Sequence, residues 1–301
     1  MHELATAFAE RASTRNLALP AIEAGIDFSH VKFERDDIFR GYIFRGTNLD
    51  GAAFSGRASF HGATFSGVTS FDGATFSRGA SFGGAIFSSL ASFGGATFSG
   101  DASFGGAAFS VWASFRGAIF SSSASFGGAT FFGEATFAGA TFSSWASFRG
   151  ATLSIRASFR GAVFFFWASF DGATFFGDAS FDGATFFGDA SFDGANFSGV
   201  ASFDGAAFSG DAFFDGAAFS RHAGFDKATF GKESRFINAK MKSKTSFKGA
   251  TFKTKPPEFF GAELHEGSVW PGREAWPIPK ATDEGEDFIH AYDGSNSRWT
   301  G

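Results

Sequence analysis

The apolar positions of this chain recur in steps that fit neither a helix nor an ordinary alternating strand. Large aromatics stand at Phe54, Phe60, Phe65, Phe71, Phe76, Phe82, Phe87, Phe93 and Phe98, alternately six and five residues apart. The ladder continues to Phe225, Phe230, Phe236, Met241, Phe247 and Phe252, with Leu153 in one of its places. Through Phe170, Phe175, Phe181, Phe186, Phe192 and Phe197 it is nearly perfect, because ASFDGATFFGD at Ala168–Asp178 is followed by an identical block. Upstream, Phe28, Phe33, Phe39, Phe44 and Leu49 follow the same rule with less regular spacing. A small residue, mostly Ala, lies two places before each ladder position, and Gly usually lies two places after.

Alternate residues of an extended segment share one face. Each five- or six-residue arm therefore reads as a short extended side with its Phe and the Ala two places earlier turned inward. Gly near each corner opens backbone conformations closed to other residues. Four arms make a coil of about 22 residues, and coils stack at about 4.8 Å, the ordinary strand spacing. From Phe28 to Phe252 this predicts about ten coils and a rod on the order of 50 Å long. A solenoid of this kind hydrogen-bonds each coil to its neighbours and fills its axis with side chains.

The motifs Ala179-Ser180-Phe181-Asp182-Gly183 and Ala184-Thr185-Phe186-Phe187-Gly188 resemble those of the pentapeptide-repeat family. The resemblance covers about three-quarters of the chain. It implies an all-β fold, a right-handed quadrilateral β-helix. Two features depart from the commonest pattern: Phe takes the place of Leu at the centre, and every second arm carries an extra residue. Three segments are expected. Residues 1–27 form an N-terminal capping segment, with a short helix ended near Pro20. Residues 28–255 form the repeat. Residues 256–301 form an irregular turn, using Phe259, Leu264 and Trp270, and a flexible tail.

Composition changes this picture little. Of 301 residues 49 are Phe, far too aromatic for a disordered Gly- and Ser-rich chain. The formal net charge of −5 is too small to suggest direct nucleic-acid binding, and the absence of cysteine excludes disulfides and thiolate metal sites. No stretch is long and apolar enough to span a bilayer. Charges at Glu3, Glu10, Arg11 and Arg15 argue against a secretory signal, so a cytoplasmic location is the expectation. The six histidines are scattered without metal-ligand spacing, Ser recurs as part of the repeat, and no phosphate loop is present. A non-enzyme without cofactors is expected.

Function must then rest on what varies. The inserted sixth residue should point outward at a corner, and residues 22 apart should stack. Trp145 and Trp167 are expected one above the other, as are Phe165 and Phe187. Val68, Leu90 and Trp112 should form a second apolar stripe on the opposite edge. Exposed aromatic stripes suggest a protein partner. Eight acids without an intervening base follow: Asp171, Asp178, Asp182, Asp189, Asp193, Asp204, Asp211 and Asp215. Ten bases, from Arg221 to Lys255, come next against Asp226 and Glu233. These collars read first as solubility and as protection of the rod's open end. A bipolar docking site, a homodimer or end-to-end association are the functional readings.

Resemblance to the family also raises DNA mimicry directed at DNA gyrase, since some members act that way. Duplex DNA carries about one charge per 1.7 Å, whereas the acids here are confined to a short collar with bases after it. Ice binding is a third reading, from Thr64, Thr75, Thr97, Thr130, Thr141, Thr174 and Thr185, but Ile86, Ala108, Ile119 and Val163 interrupt that array. The reading the residues favour is a rigid scaffold for protein–protein contact.

Overall fold

The computed structural model describes residues 21–36 and 38–269. The helix expected near the N-terminus, Trp270 and the tail from residue 271 lie outside the described residues. Within them every strand is two residues long and every strand pairing is parallel. The strands build four sheets of 11, 10, 11 and 9 members. We call these faces A, B, C and D, starting in one coil with Ile43–Phe44, Thr47–Asn48, Ala53–Phe54 and Ala58–Ser59. This is the quadrilateral β-solenoid that the five–six alternation predicts.

Packing follows directly from the repeat. Core rings are almost wholly excluded from solvent, among them Phe170, Phe175, Phe181, Phe186, Phe192 and Phe197, and Leu153 fills its place equally well. Each ring stacks on the ring one coil away and meets its neighbours edge-on. Phe126 lies 4.8 Å from both Phe104 and Phe148, near parallel, and 5.1 Å from Phe115 and Phe137, near perpendicular. Those are the arrangements favoured by the aromatic quadrupole. The Ala two places before each Phe is buried as well and leaves room for the rings.

The two arm lengths make two kinds of corner. After faces B and D the corner is short. There the Ala63 N–H donates to the Phe60 carbonyl at 3.0 Å, and Gly62 has a φ of 64°, a type II turn. After faces A and C the corner is longer by one residue, and its glycines serve another purpose. A Cβ on Gly133 would fall on the Val111 carbonyl of the coil before it. The long corners lie diagonally opposite each other, on edges AB and CD.

The ends depart from the 22-residue register. Phe44 and Leu49 are joined by a five-residue arm where six is the rule, so the first coil is short: Ile43 pairs with Thr64 and Lys32 with Ala53. The last coil is longer. Arg235 bridges Glu258, Lys240 bridges Glu263, Phe259 stacks on Phe236 at 5.0 Å, and Leu264 is buried. Among the described residues no helix is long and apolar enough to cross a membrane.

Candidate functional site

Each long corner holds three residues, and an exposed bulky side chain can stand at any of the three places. On edge CD the first of the three is Ser99, Ser121, Ser143, Phe165, Phe187 and Ser209 in successive coils. The ladder does not distinguish Ser from Phe here. The N–H groups of Ser143, Phe165, Phe187 and Ser209 donate to the core carbonyl one coil earlier at 2.8, 2.9, 2.8 and 2.7 Å. The fold therefore does not require these rings, and they project into solvent.

Edge CD gathers five aromatics over three coils. Trp145 and Trp167 occupy equivalent places, since Ala146 pairs with Ala168 and its N–H donates to the Trp167 carbonyl at 3.0 Å. They are 66% and 38% exposed. Phe165 and Phe187 stack at 5.1 Å with planes 18° apart. Phe166, 58% exposed, completes the group. Phe166 occupies the middle corner place, which the inserted-residue pattern does not mark.

Edge AB differs from its sequence reading. Val68 and Leu90 are exposed as expected, but Trp112 is half-buried and its neighbour Val111 takes the outer place. The stripe then continues through Phe132, Ile155 and Phe176, one exposed apolar residue in each of six successive coils. These later residues occupy the first or second corner place, so a reading confined to the third missed them.

The acidic collar divides into four columns. Asp171, Asp193 and Asp215 stand on edge DA, Asp182 and Asp204 on edge BC, Asp189 and Asp211 on edge CD, and Asp178 on edge AB. All eight accept a hydrogen bond from the next coil. Asp178, Asp189, Asp193, Asp204, Asp211 and Asp215 accept the N–H of Val200, Asp211, Asp215, Asp226, Glu233 and Ile237 at 2.9–3.0 Å. Asp171 and Asp182 accept the hydroxyls of Ser191 and Ser202. The carboxylates thus serve corner donors that the sheets leave unpaired.

Two of the bases that follow the collar, Arg235 and Lys255, close two of its columns. Arg235 pairs with Asp215 and lies 5.0 Å over the Phe213 ring, and Asp215 holds its guanidinium above the ordinary value. Lys255 reaches Glu233 at 3.3 Å and Glu258 at 2.8 Å. Asp193, in the middle of its column, is pushed above the usual carboxylate range, first by burial and then by the charges of Asp215 and Asp171. The Asp215 N–H and Arg235 oppose that shift.

No curated protein matches the chain. Two solved structures of QnrB1, a plasmid-mediated fluoroquinolone resistance protein, resemble it. The full-length form is 15% identical, with a TM-score of 0.23, over 79% of this chain and 93% of that one. A trypsin-treated variant is 16% identical, with a TM-score of 0.25, over 79% and 92%. The family model for pentapeptide repeats in nine copies matches residues 49–96, 60–108, 82–130, 112–152 and 192–240, together just over half of the sequence. With that match and the four-faced solenoid, the chain belongs to the pentapeptide-repeat family.

Proposed function

We propose that this chain is a non-enzymatic, rigid scaffold that docks a protein partner on edge CD. The observation that carries this reading is the cluster of Trp145, Phe165, Phe166, Trp167 and Phe187 at corners where neighbouring coils hold Ser, Gly or Asp in the same ladder of backbone hydrogen bonds. Clustered aromatics are the residues that dominate protein–protein binding energies, and a contiguous exposed group marks a contact surface. A preformed rod also orders little on binding, which keeps the entropic cost low.

The reading as a DNA mimic acting on DNA gyrase draws less support. The eight carboxylates are divided among four edges, and each already accepts a hydrogen bond from its own rod. The threonines of the ice-binding reading are divided between face A, with Thr64, Thr130 and Thr174, and face C, with Thr75, Thr97, Thr141 and Thr185, and on face A the run of Thr130, Thr152 and Thr174 is bounded by Ala108 and Asn196.

The test is chemical crosslinking in cell lysate, with the full chain beside a variant carrying Trp145→Ser, Phe165→Ser, Phe166→Gly, Trp167→Ser and Phe187→Ser. A Phe132→Ser variant on edge AB is the control. We expect one protein to be captured by the native chain and the control and lost with the edge-CD variant. Capture of the same proteins by all three would overturn the assignment.

A further inference from the structure

Edge AB carries a longer alternation of bulky and small residues than edge CD. Its three corner places read Ser66-Gly67-Val68, Ser88-Ser89-Leu90, Ser110-Val111-Trp112, Phe132-Gly133-Glu134, Ser154-Ile155-Arg156 and Phe176-Gly177-Asp178 in six successive coils. From Val111 onward the bulky residue alternates between the second and the first place. The core rings beneath stand 4.5 to 4.7 Å apart from coil to coil, so the stripe is about 24 Å long.

The alternation is built into the backbone. A Cβ on Gly133 would strike the backbone carbonyl of Val111, and one on Gly177 that of Ile155, as one on Gly188 would strike Phe166 on edge CD. Each bulky second-place residue is thus followed one coil later by a glycine, leaving a gap beside a knob. A partner with the same coil repeat can fill this relief along its whole length. A second copy of the chain has that repeat by construction.

We propose that two copies pair side by side and antiparallel along edge AB, with a two-fold axis between the coils of Val111 and Gly133. Such an axis runs across the edge, so each corner place faces the same place of the other copy, with the order of coils reversed. Val111 then faces Gly133, Phe132 faces Ser110, Ile155 faces Ser89, and Phe176 faces Ser66. Every one of these knobs meets a Gly or a Ser. The third place sets Leu90 against Arg156 and Trp112 against Glu134, a mixed rim of the sort that borders interfaces. The contact is isologous, as two-fold symmetry requires. It is also narrow, which places the dimer among the weaker associations. This pairing is independent of the partner assigned to edge CD.

Sedimentation velocity on the full chain, from about 1 to 200 µM, is the first test, since weak interfaces dissociate in that range. A concentration-dependent dimer is expected, with Phe132→Ser plus Phe176→Ser weakening it at least tenfold. Phe165→Ser plus Phe187→Ser on edge CD should leave it unchanged. The native chain has no cysteine, so orientation is read with Ser88→Cys and Ser154→Cys, two residues that face each other across the axis. A short bismaleimide should link the two variants when they are mixed and neither when alone. A monomer throughout the range overturns the proposal, as does crosslinking of Ser88→Cys alone, which marks a parallel pair.

Discussion

Phe126→Ala probes the packing at its most demanding point. Phe126 is fully buried and makes two parallel contacts at 4.8 Å and two perpendicular contacts at 5.1 Å. Burying a Phe contributes about 1.5–3 kcal/mol, and each aromatic pair adds about 0.5–1.5 kcal/mol. Truncating a buried Phe costs about 3–5 kcal/mol where the site cannot collapse. Collapse is hindered here. The Phe126 N–H is held to the Ser147 carbonyl at 2.7 Å, and its six ring neighbours, Phe120 at 5.9 Å and Phe131 at 6.5 Å among them, are fixed by the same ladder. The upper half of that range is expected. Because solenoid coils contact only their neighbours, the damage should also be local. Hydrogen exchange should rise first in peptides between residues 104 and 148, with coils near Phe60 and Phe214 little changed. Phe126→Leu serves as the comparator, because Leu153 occupies an equivalent place at 1% exposure. It should cost less than half as much in guanidinium unfolding. A loss below about 1 kcal/mol for Phe126→Ala, far under the usual cavity cost, would refute the packing argument.

Three further predictions concern the corners. Asp193 has a raised pKa in the fold, so its neutral form is favoured there and its ionised form opposes folding; that penalty grows as pH rises above the ordinary 3.8 and is complete once the folded value is passed. Asp193→Asn keeps an acceptor for the Asp215 N–H and removes the charge, so it should raise the unfolding temperature at pH 7, the gain shrinking towards zero below pH 3.8. Lys227 takes a φ of 58° where the other short corners mostly have Gly, so Lys227→Gly should stabilise by about 1 kcal/mol in thermal unfolding. Gly133→Ala should destabilise more than Gly172→Ala, because the first added methyl meets a backbone carbonyl and the second meets only its own strained φ of 62°; equal losses in the same assay would contradict the two-corner description.

The solenoid was readable in the sequence because its core repeats along one dimension. A Phe at 170 and another at 192 need only the strand spacing to be placed one above the other. Irregularities were readable on the same ground: the five-residue step from Phe44 to Leu49 is the short first coil. The outer corners were harder. Nothing local in the sequence says that any of three places in a six-residue arm can hold the exposed bulky side chain, which is why Phe166, Phe132 and Ile155 were overlooked. The acids were harder still, since an acceptor and its donor lie a full coil apart. A signal was present nonetheless. Asp171 is followed by Ser191 and Asp193, and Asp182 by Ser202 and Asp204, the spacing of a carboxylate stitched to the next coil.

The central claim is that the edge-CD rings are surplus to the fold and exist for contact. Its most direct test is the unfolding midpoint of the variant carrying Trp145→Ser, Phe165→Ser, Phe166→Gly, Trp167→Ser and Phe187→Ser, measured beside the native chain. The midpoint should equal or exceed the native one, because Ser, Gly and Asp already serve the same corners in neighbouring coils. A fall comparable to that of Phe126→Ala would show that the rings hold the rod together and would contradict the claim.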